Sequence, residues 1–120
     1  MPIQIKRIYD PAEESDGIRL LVDRLWPRGV SKERARLDGW PKVLSPSDVL
    51  RKEFGHMSER FDEFTARYCA ELDANPEALP VARQVLEQGG NGTVTLLYSS
   101  NNPDCNHALV LKAYLEELSV

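Results

Sequence analysis

The run Leu20-Leu21-Val22-Asp23-Arg24-Leu25-Trp26-Pro27-Arg28-Gly29 constrains this chain more than any other stretch. Its continuous apolar start, with no polar residue alternating, predicts a strand over residues 18–25 that is buried on both faces, as in a parallel sheet. That strand then carries an acid and two arginines at its mouth, and a buried charge without a partner is costly.

The remaining elements follow from periodicity and punctuation. Residues 3–9, with Ile3, Ile5 and Ile8 set against polar neighbours, predict a first strand, and TVTLLYSS at 93–100 predicts another. DPAEESDG between the first two strands is a polar loop punctuated by Pro11 and Gly17. Ser31 is expected to cap a short helix, SKERARL, that ends near Asp38-Gly39. Ser45 as cap, Pro46 at the first helical position and Asp48 in a capping box predict a second helix, which stops at Gly55 and leaves His56 just beyond it. Met57, Phe61, Phe64, Tyr68 and Leu72, spaced by threes and fours, mark an amphipathic helix whose stripe is core. Asn75-Pro76 opens another helix, and Gly89-Gly90 ends it. Asn102 or Asp104 is expected to cap a final helix with Ala108, Leu111, Leu115 and Leu118 facing inward. An irregular or edge strand is expected around Trp40 to Leu44. The order strand, strand, helices, strand, helix predicts an α/β fold: one layered domain over 1–120, with a small, mostly parallel sheet flanked by helices.

Composition limits the function classes. A chain of 120 residues with 42% hydrophobic and 28% charged residues builds one core and is not disordered. No apolar run approaches the roughly 20 residues that span a bilayer. The start, MPIQIKRIYD, has no apolar segment of signal-peptide type, and the two cysteines, Cys69 and Cys105, cannot form a disulfide framework. A cytoplasmic protein with reduced thiols is therefore expected. The net charge of −4 exerts no general pull on nucleic acid, yet residues 1–60 hold 12 Lys/Arg against 10 Asp/Glu, whereas 61–120 hold 3 against 9. A basic face built from the first half could attract an anion.

Two strand ends carry the candidate chemistry, since ligands of open α/β sheets bind beyond the carboxyl ends of the strands. Alternation sends Asp23 and Arg24 to opposite faces, so each needs its own partner. Asp23 is read as a brace for the scaffold. Arg24 then shares a face with Trp26, which sets an anion-binding guanidinium beside an aromatic platform. Pro27 holds Trp26 extended, and Gly29 turns the chain with Arg28 at the rim. The second end, LLYSSNNPDCNHAL, delivers Tyr98, Ser99 and Ser100 to a loop before a helix N-terminus, whose free N–H groups favour anions. Asn106 and His107 fall in the first turn. His107 is in register with Leu111, Tyr114 and Leu118 and so points inward; there the helix dipole disfavours its protonated form, and the ring could act as base, acid or hydrogen-bond donor. The blander alternatives are an Asp–Arg network with Trp26 filling core, and a satisfied semi-buried histidine.

Other chemistries find less support. Cys105, near a helix start and two residues before His107, could be a nucleophile, but no elbow or triad pattern accompanies it. Its spacing to His107 is not that of a structural zinc pair, so no metal is expected. Without G-x-G-x-x-G, Walker A, H-E-x-x-H or G-x-S-x-G, no cofactor is expected either.

VDRLWPRG, the segment S-P-S-D-x-L-R-K-x-F-G-H from Ser45 to His56, and LLY followed by N-H-A at Asn106 to Ala108 resemble the YeaO-like proteins. These are a branch of a bacterial and archaeal family classed as a domain of unknown function. The resemblance covers nearly the whole chain and implies a compact, Rossmann-like α/β domain without implying a reaction. Two departures stand out. The broader family's D-x-R-x-x-P pattern meets Leu25 at the usual arginine place, with Arg24 adjacent to Asp23. Its Cys-His pair is Asn106-His107 here, with Cys105 one place earlier, which counts against cysteine- or metal-dependent activity.

The leading expectation is an enzyme or binding domain for a small anionic ligand, such as a nucleotide derivative. Arg24, Arg28, Trp26, Asn106 and Ser99 would bind it, His107 and Tyr98 would transfer protons, and Asp23 and His56 would support the site. The alternatives are a non-catalytic nucleic-acid-binding or regulatory module using Arg28, Lys32, Arg34 and Arg36, and a protein-interaction domain with a purely structural ion-pair network. Oligomeric state is open.

Overall fold

The computed structural model describes residues 2–55, 58–102 and 104–119. Strands β1 (Ile3–Arg7), β2 (Ile18–Leu21) and β3 (Val94–Tyr98) form one parallel sheet in the order β1-β3-β2. Helices α1 (Lys32–Ala35), α2 (Asp48–Phe54), α3 (Phe61–Ala74), α4 (Ala78–Gly89) and α5 (His107–Leu118) accompany it. The α/β class with a small parallel sheet is what the apolar runs predict. Among the described residues no helix is long and apolar enough to cross a membrane.

Leu96 of β3 is paired with both Ile5 and Leu20, so the same parity of each strand lines one face. That face carries Ile3, Leu20, Val22, Val94, Leu96 and Tyr98 into the main core, against Phe54 of α2, Phe64 and Tyr68 of α3, Val85 of α4 and Leu111 and Leu115 of α5. The buried Tyr68 hydroxyl is satisfied by the Leu44 carbonyl.

The opposite parity is polar at its start. Gln4 Nε2 donates to Thr95 Oγ1 at 2.8 Å, and that hydroxyl donates to the Asp16 carbonyl at 2.6 Å. The buried Asp16 carboxylate accepts Lys6 Nζ at 3.1 Å and Arg19 Nη1 at 2.5 Å. Arg19 also gives its Nε and Nη2 to the Ala35 carbonyl, at 3.1 and 2.8 Å. Burial alone would raise the Asp16 carboxyl, but the Glu13 amide, Lys6 and Arg19 outweigh it and hold its pKa below the ordinary value. Farther along this face Ile8, Val30, Ala35 and Leu97 form a second small core on which Trp26 packs.

Several boundaries differ from the sequence reading for identifiable reasons. Ser31 caps α1 as expected, accepting from Arg34 N, but the helix ends at Ala35 because Arg36 turns left-handed at φ 49°. The cap of α2 is Ser47 rather than Ser45. Ser47 Oγ accepts from Leu50 N and is itself braced by Glu71, while Ser45 Oγ donates to the Lys42 carbonyl. Residues 40–44 form no strand; a single bridge joins Leu20 to Gly39, and Lys42–Leu44 is a 3-10 turn. The last helix is capped by Asn106, not by Asn102 or Asp104. Asn102 Oδ1 instead accepts from the amides of Asp104 and Cys105 in the preceding turn.

Gly17 joins the first loop to β2 at φ 65°, and a Cβ there would fall inside the Thr93 carbonyl group, which accepts from Ile18 N at 2.9 Å. Gly29 has φ 77° with open space around it. Gly29→Ala should therefore cost only the left-handed backbone penalty, about 1–2 kcal/mol. Gly17→Ala adds overpacking against immovable backbone, itself about 1–3 kcal/mol, and should be clearly the worse of the two in urea unfolding. Equal losses would contradict the packing described.

Candidate ligand-binding site

The carboxyl ends of β2 and β3 meet around one carboxylate. The pair Leu21↔Leu97 is the last of the β2–β3 register, and Val22 N still donates to the Leu97 carbonyl at 3.0 Å. Two residues farther, the same register sets Asp23 beside Ser99. The next rung of a parallel ladder would take the Ser99 amide to a backbone carbonyl. Here it goes to Asp23 Oδ2 at 3.1 Å, and Ser99 Oγ donates to the same oxygen at 2.5 Å. The side chain thus replaces the backbone rung, which is why β2 ends at Leu21 rather than at residue 25.

The other oxygen, Asp23 Oδ1, faces His107 Nε2 at 2.8 Å. This is a close contact, ionic only when the ring is protonated, and not a straight hydrogen bond; each atom is buried with no hydrogen-bond partner among the described residues. Asn106 positions the histidine. Its Oδ1 accepts from Leu109 N at 3.0 Å and its Nδ2 donates to the Asn102 carbonyl at 2.9 Å, which starts α5 with His107 as first residue. Burial pushes the Asp23 carboxyl up, but the His107 contact and both Ser99 bonds pull it down further, so its pKa is lowered from the ordinary 3.8.

A cleft of about 440 Å³ opens on this pair. Arg24, Trp26 and Arg28 line it from the chain after β2, Arg51 from α2, Ser99 and Ser100 from the end of β3, and His107 from α5. Arg24 is held by backbone oxygens, with Nε donating to the Pro46 carbonyl at 3.0 Å. Trp26 donates its indole N–H to the Val30 carbonyl at 2.7 Å and meets Trp40 edge to face, with centroids 5.4 Å apart. Trp40 in turn donates to the Asp23 carbonyl at 2.6 Å. Arg28 is exposed, and its carbonyl accepts from the Tyr9 hydroxyl at 3.1 Å. Asp23 is the single carboxylate lining the cleft, and neither Arg24 nor Arg28 has a carboxylate partner among the described residues.

Of the residues singled out from sequence, Asp23, Arg24, Trp26, Arg28, Ser99 and His107 line this one cleft. Two do not. Tyr98 has the main-core parity and is only 3% exposed, so the wall opposite Arg24 and Trp26 is made by Ser99, Ser100 and His107. Burial also pushes the Tyr98 phenol above its ordinary value, away from proton transfer. Asn106 is fully buried and spends its amide on the cap. Arg24 and Trp26 do not share a strand face, since β2 has ended; they approach the cleft from the α2 and α1 sides. His56 lies outside the described residues. Arg51, Tyr9 and Ser100 were not singled out. Arg51 follows Asp48 by three residues on α2 and binds it at 3.1 Å, so only the fold could bring it to the cleft. Lys32, Arg34 and Arg36 are exposed, on and beside the four-residue α1.

Sheet, helices and cleft together define a small α/β protein with an arginine-bearing recess at the carboxyl edge of a three-stranded parallel sheet. The chain belongs to the DUF488 family: the model DUF488-N3i, described as the inactive DUF488-N3 subclade, matches residues 2–119. It is 45% identical over 118 residues to the uncharacterized protein YeaO of Escherichia coli strain K12, covering 98% of this chain and the whole of that protein. The uncharacterized protein Rv3073c of Mycobacterium tuberculosis strain H37Rv is 37% identical over 113 residues, covering 94% and 92% of the two chains. No solved structure matches the chain.

Folding stabilises the ionised form of Asp23, because its folded pKa lies below its ordinary one. That contribution is complete above the ordinary value of 3.8 and is lost as pH falls through the folded value. Asp23→Asn should cost about 1.5–3 kcal/mol at pH 7, the worth of hydrogen bonds to a charged group. The gap between wild type and variant in urea unfolding should narrow at acid pH; a gap independent of pH would contradict this.

Proposed function

We propose that the cleft at the carboxyl edge of the sheet holds a small organic anion, and holds it without converting it. The observation that carries this reading is the charge of the lining: Arg24, Arg28 and Arg51 against the single carboxylate of Asp23, which is itself engaged by His107 and Ser99. Arg51 is already paired with Asp48, but Arg24 and Arg28 have no carboxylate partner among the described residues, and cations so placed in a recess favour an anion that supplies one. The recess also has an apolar side, formed by Leu25, Trp26, Pro27 and Pro46. Leu25 is 60% exposed there, and covering it is favourable. A volume of about 440 Å³ lies within the range of small-molecule sites. A ligand with a flat body and an anionic group, such as a nucleoside monophosphate or an aromatic carboxylate, would match both sides, with its ring against Trp26.

Binding without turnover fits the description of the matching family model as an inactive subclade. It also fits the side chains. Tyr98, the second residue expected to move protons, is in the core. Cys105 is partly buried beside that core and does not line the cleft.

The test is the melting temperature in the presence of inorganic phosphate, benzoate or adenosine monophosphate, each compared with chloride at equal ionic strength. A ligand that binds only the folded state raises it by mass action. At least one of these anions should raise the midpoint in the wild type and in Tyr98→Phe, and Arg28→Ala should lose most of the shift. No shift with any of them, or a shift undiminished in Arg28→Ala, would overturn the proposal.

A further inference from the structure

His107 lines the cleft and holds one ring nitrogen against Asp23. We infer that the cleft takes up its anion together with a proton on His107, so that this residue sets both the pH dependence of binding and the kind of group admitted. The inference rests on the cleft being an anion site.

Nε2 of His107 lies 2.8 Å from Asp23 Oδ1. A bare nitrogen and an ionised oxygen repel at that distance, so one of the two carries a proton, although it does not lie on the line between them. Asp23 does not keep it: despite its burial, the contacts with His107 and Ser99 hold the carboxyl ionised at neutral pH. Nε2 therefore carries the proton in both the neutral and the charged ring, and Asp23 acts as a positioning residue that fixes the tautomer. Nδ1 is left, and it makes no hydrogen bond to a described residue. In a neutral ring Nδ1 is an acceptor; in an imidazolium it is a donor. The oxygens of a fully ionised carboxylate, phosphate or sulfate only accept, so they require the imidazolium.

The charges around the ring decide its state before a ligand arrives. Asp23 favours the cation. Arg24 and Arg28 from the chain after β2 oppose it, as do the free N–H groups at the start of α5, while Arg51 of α2 is offset in part by Asp48. Two phenols complete the surroundings: Tyr9, bonded to the Arg28 carbonyl, and Tyr68 of α3, kept neutral chiefly by burial. Asp104 before α5 is exposed to solvent. An incoming anion offsets the arginines and adds an acceptor at Nδ1, so it stabilises the imidazolium. By reciprocity, protonation of His107 strengthens anion binding. Affinity should be greatest below the midpoint of the free protein and fall as pH rises through the midpoint of the complex. The group admitted against Nδ1 is then an ionised oxyanion, in preference to a hydroxyl or amide N–H.

The test is an NMR pH titration of the ¹⁵N-labelled full chain, in sodium chloride and in saturating sodium sulfate at equal ionic strength. Sulfate keeps its charge across the range. The chain has two histidines, so the imidazole signal absent from His107→Gln identifies the residue. The neutral ring should show Nε2 protonated and Nδ1 bare. Sulfate should move the side-chain Nε signals of Arg28 and Arg51 and raise the His107 midpoint by roughly one pH unit, the order expected for an opposite charge within ~4–6 Å. The opposite tautomer overturns the inference. So does an unmoved midpoint with moving arginine signals, while leaving the anion site standing. If neither responds, the anion reading fails and the inference with it.

Discussion

The carboxyl edge of the sheet depends on where one carboxylate sits. Asp23 takes the place of the rung that would have continued the β2–β3 ladder, accepting the Ser99 amide and hydroxyl on one oxygen and facing His107 with the other. Through this group the ends of both strands and the first residue of α5 are tied to a single point. The Trp40 indole reaches the backbone carbonyl of the same residue, so the chain after β2 is fastened on its far side as well. A carboxylate so enclosed stays charged only because Ser99 donates twice to one oxygen and His107 stands against the other. The cleft exists because the chain, having spent Asp23 on closure, turns away from the sheet and carries Arg24, Trp26 and Arg28 outward.

The two faces of the sheet divide the work. One is apolar along its length and receives the longer helices. The other buries a carboxylate and an arginine at its start, with a half-buried lysine against them, each satisfied by a neighbour or a backbone carbonyl. Farther along, it builds the small core on which Trp26 rests. The aromatic wall of the cleft is thus supported by Leu97 and Ile8 of the face that ends in Asp23 and Ser99.

Much of this was readable from residues alone. The unalternating run at Leu20 points to a parallel sheet, Gly55 and Gly90 stop their helices, Ser31 caps α1, and both Asp23 and His107 stand out. Their partnership was not readable, because it depends on the register of two strands 76 residues apart in the chain at the Asp23–Ser99 contact. Parity alone does place Tyr98 with Leu96 in the core, but which residue then stands beside Asp23 follows from the pairing and not from either strand. Arg19 is the converse case. A charge inside an otherwise apolar strand is tolerated only because Asp16, three residues earlier, turns back to meet it. The caps at Ser47 and Asn106 were missed for a local reason: each lies in a cluster of several competent capping residues, and tertiary partners such as Glu71 choose among them.

The central claim is that an anion belongs between the arginines and His107 at the carboxyl edge of the sheet. A crystal of the full chain soaked in selenate tests it most directly, because the anomalous signal of selenium locates the ion without assumption. The account predicts a peak inside the cleft, within hydrogen-bonding distance of the Arg28 or Arg51 guanidinium and of His107 Nδ1. Selenate found only on the outer surface, with the cleft empty at concentrations that occupy those outer positions, would contradict it.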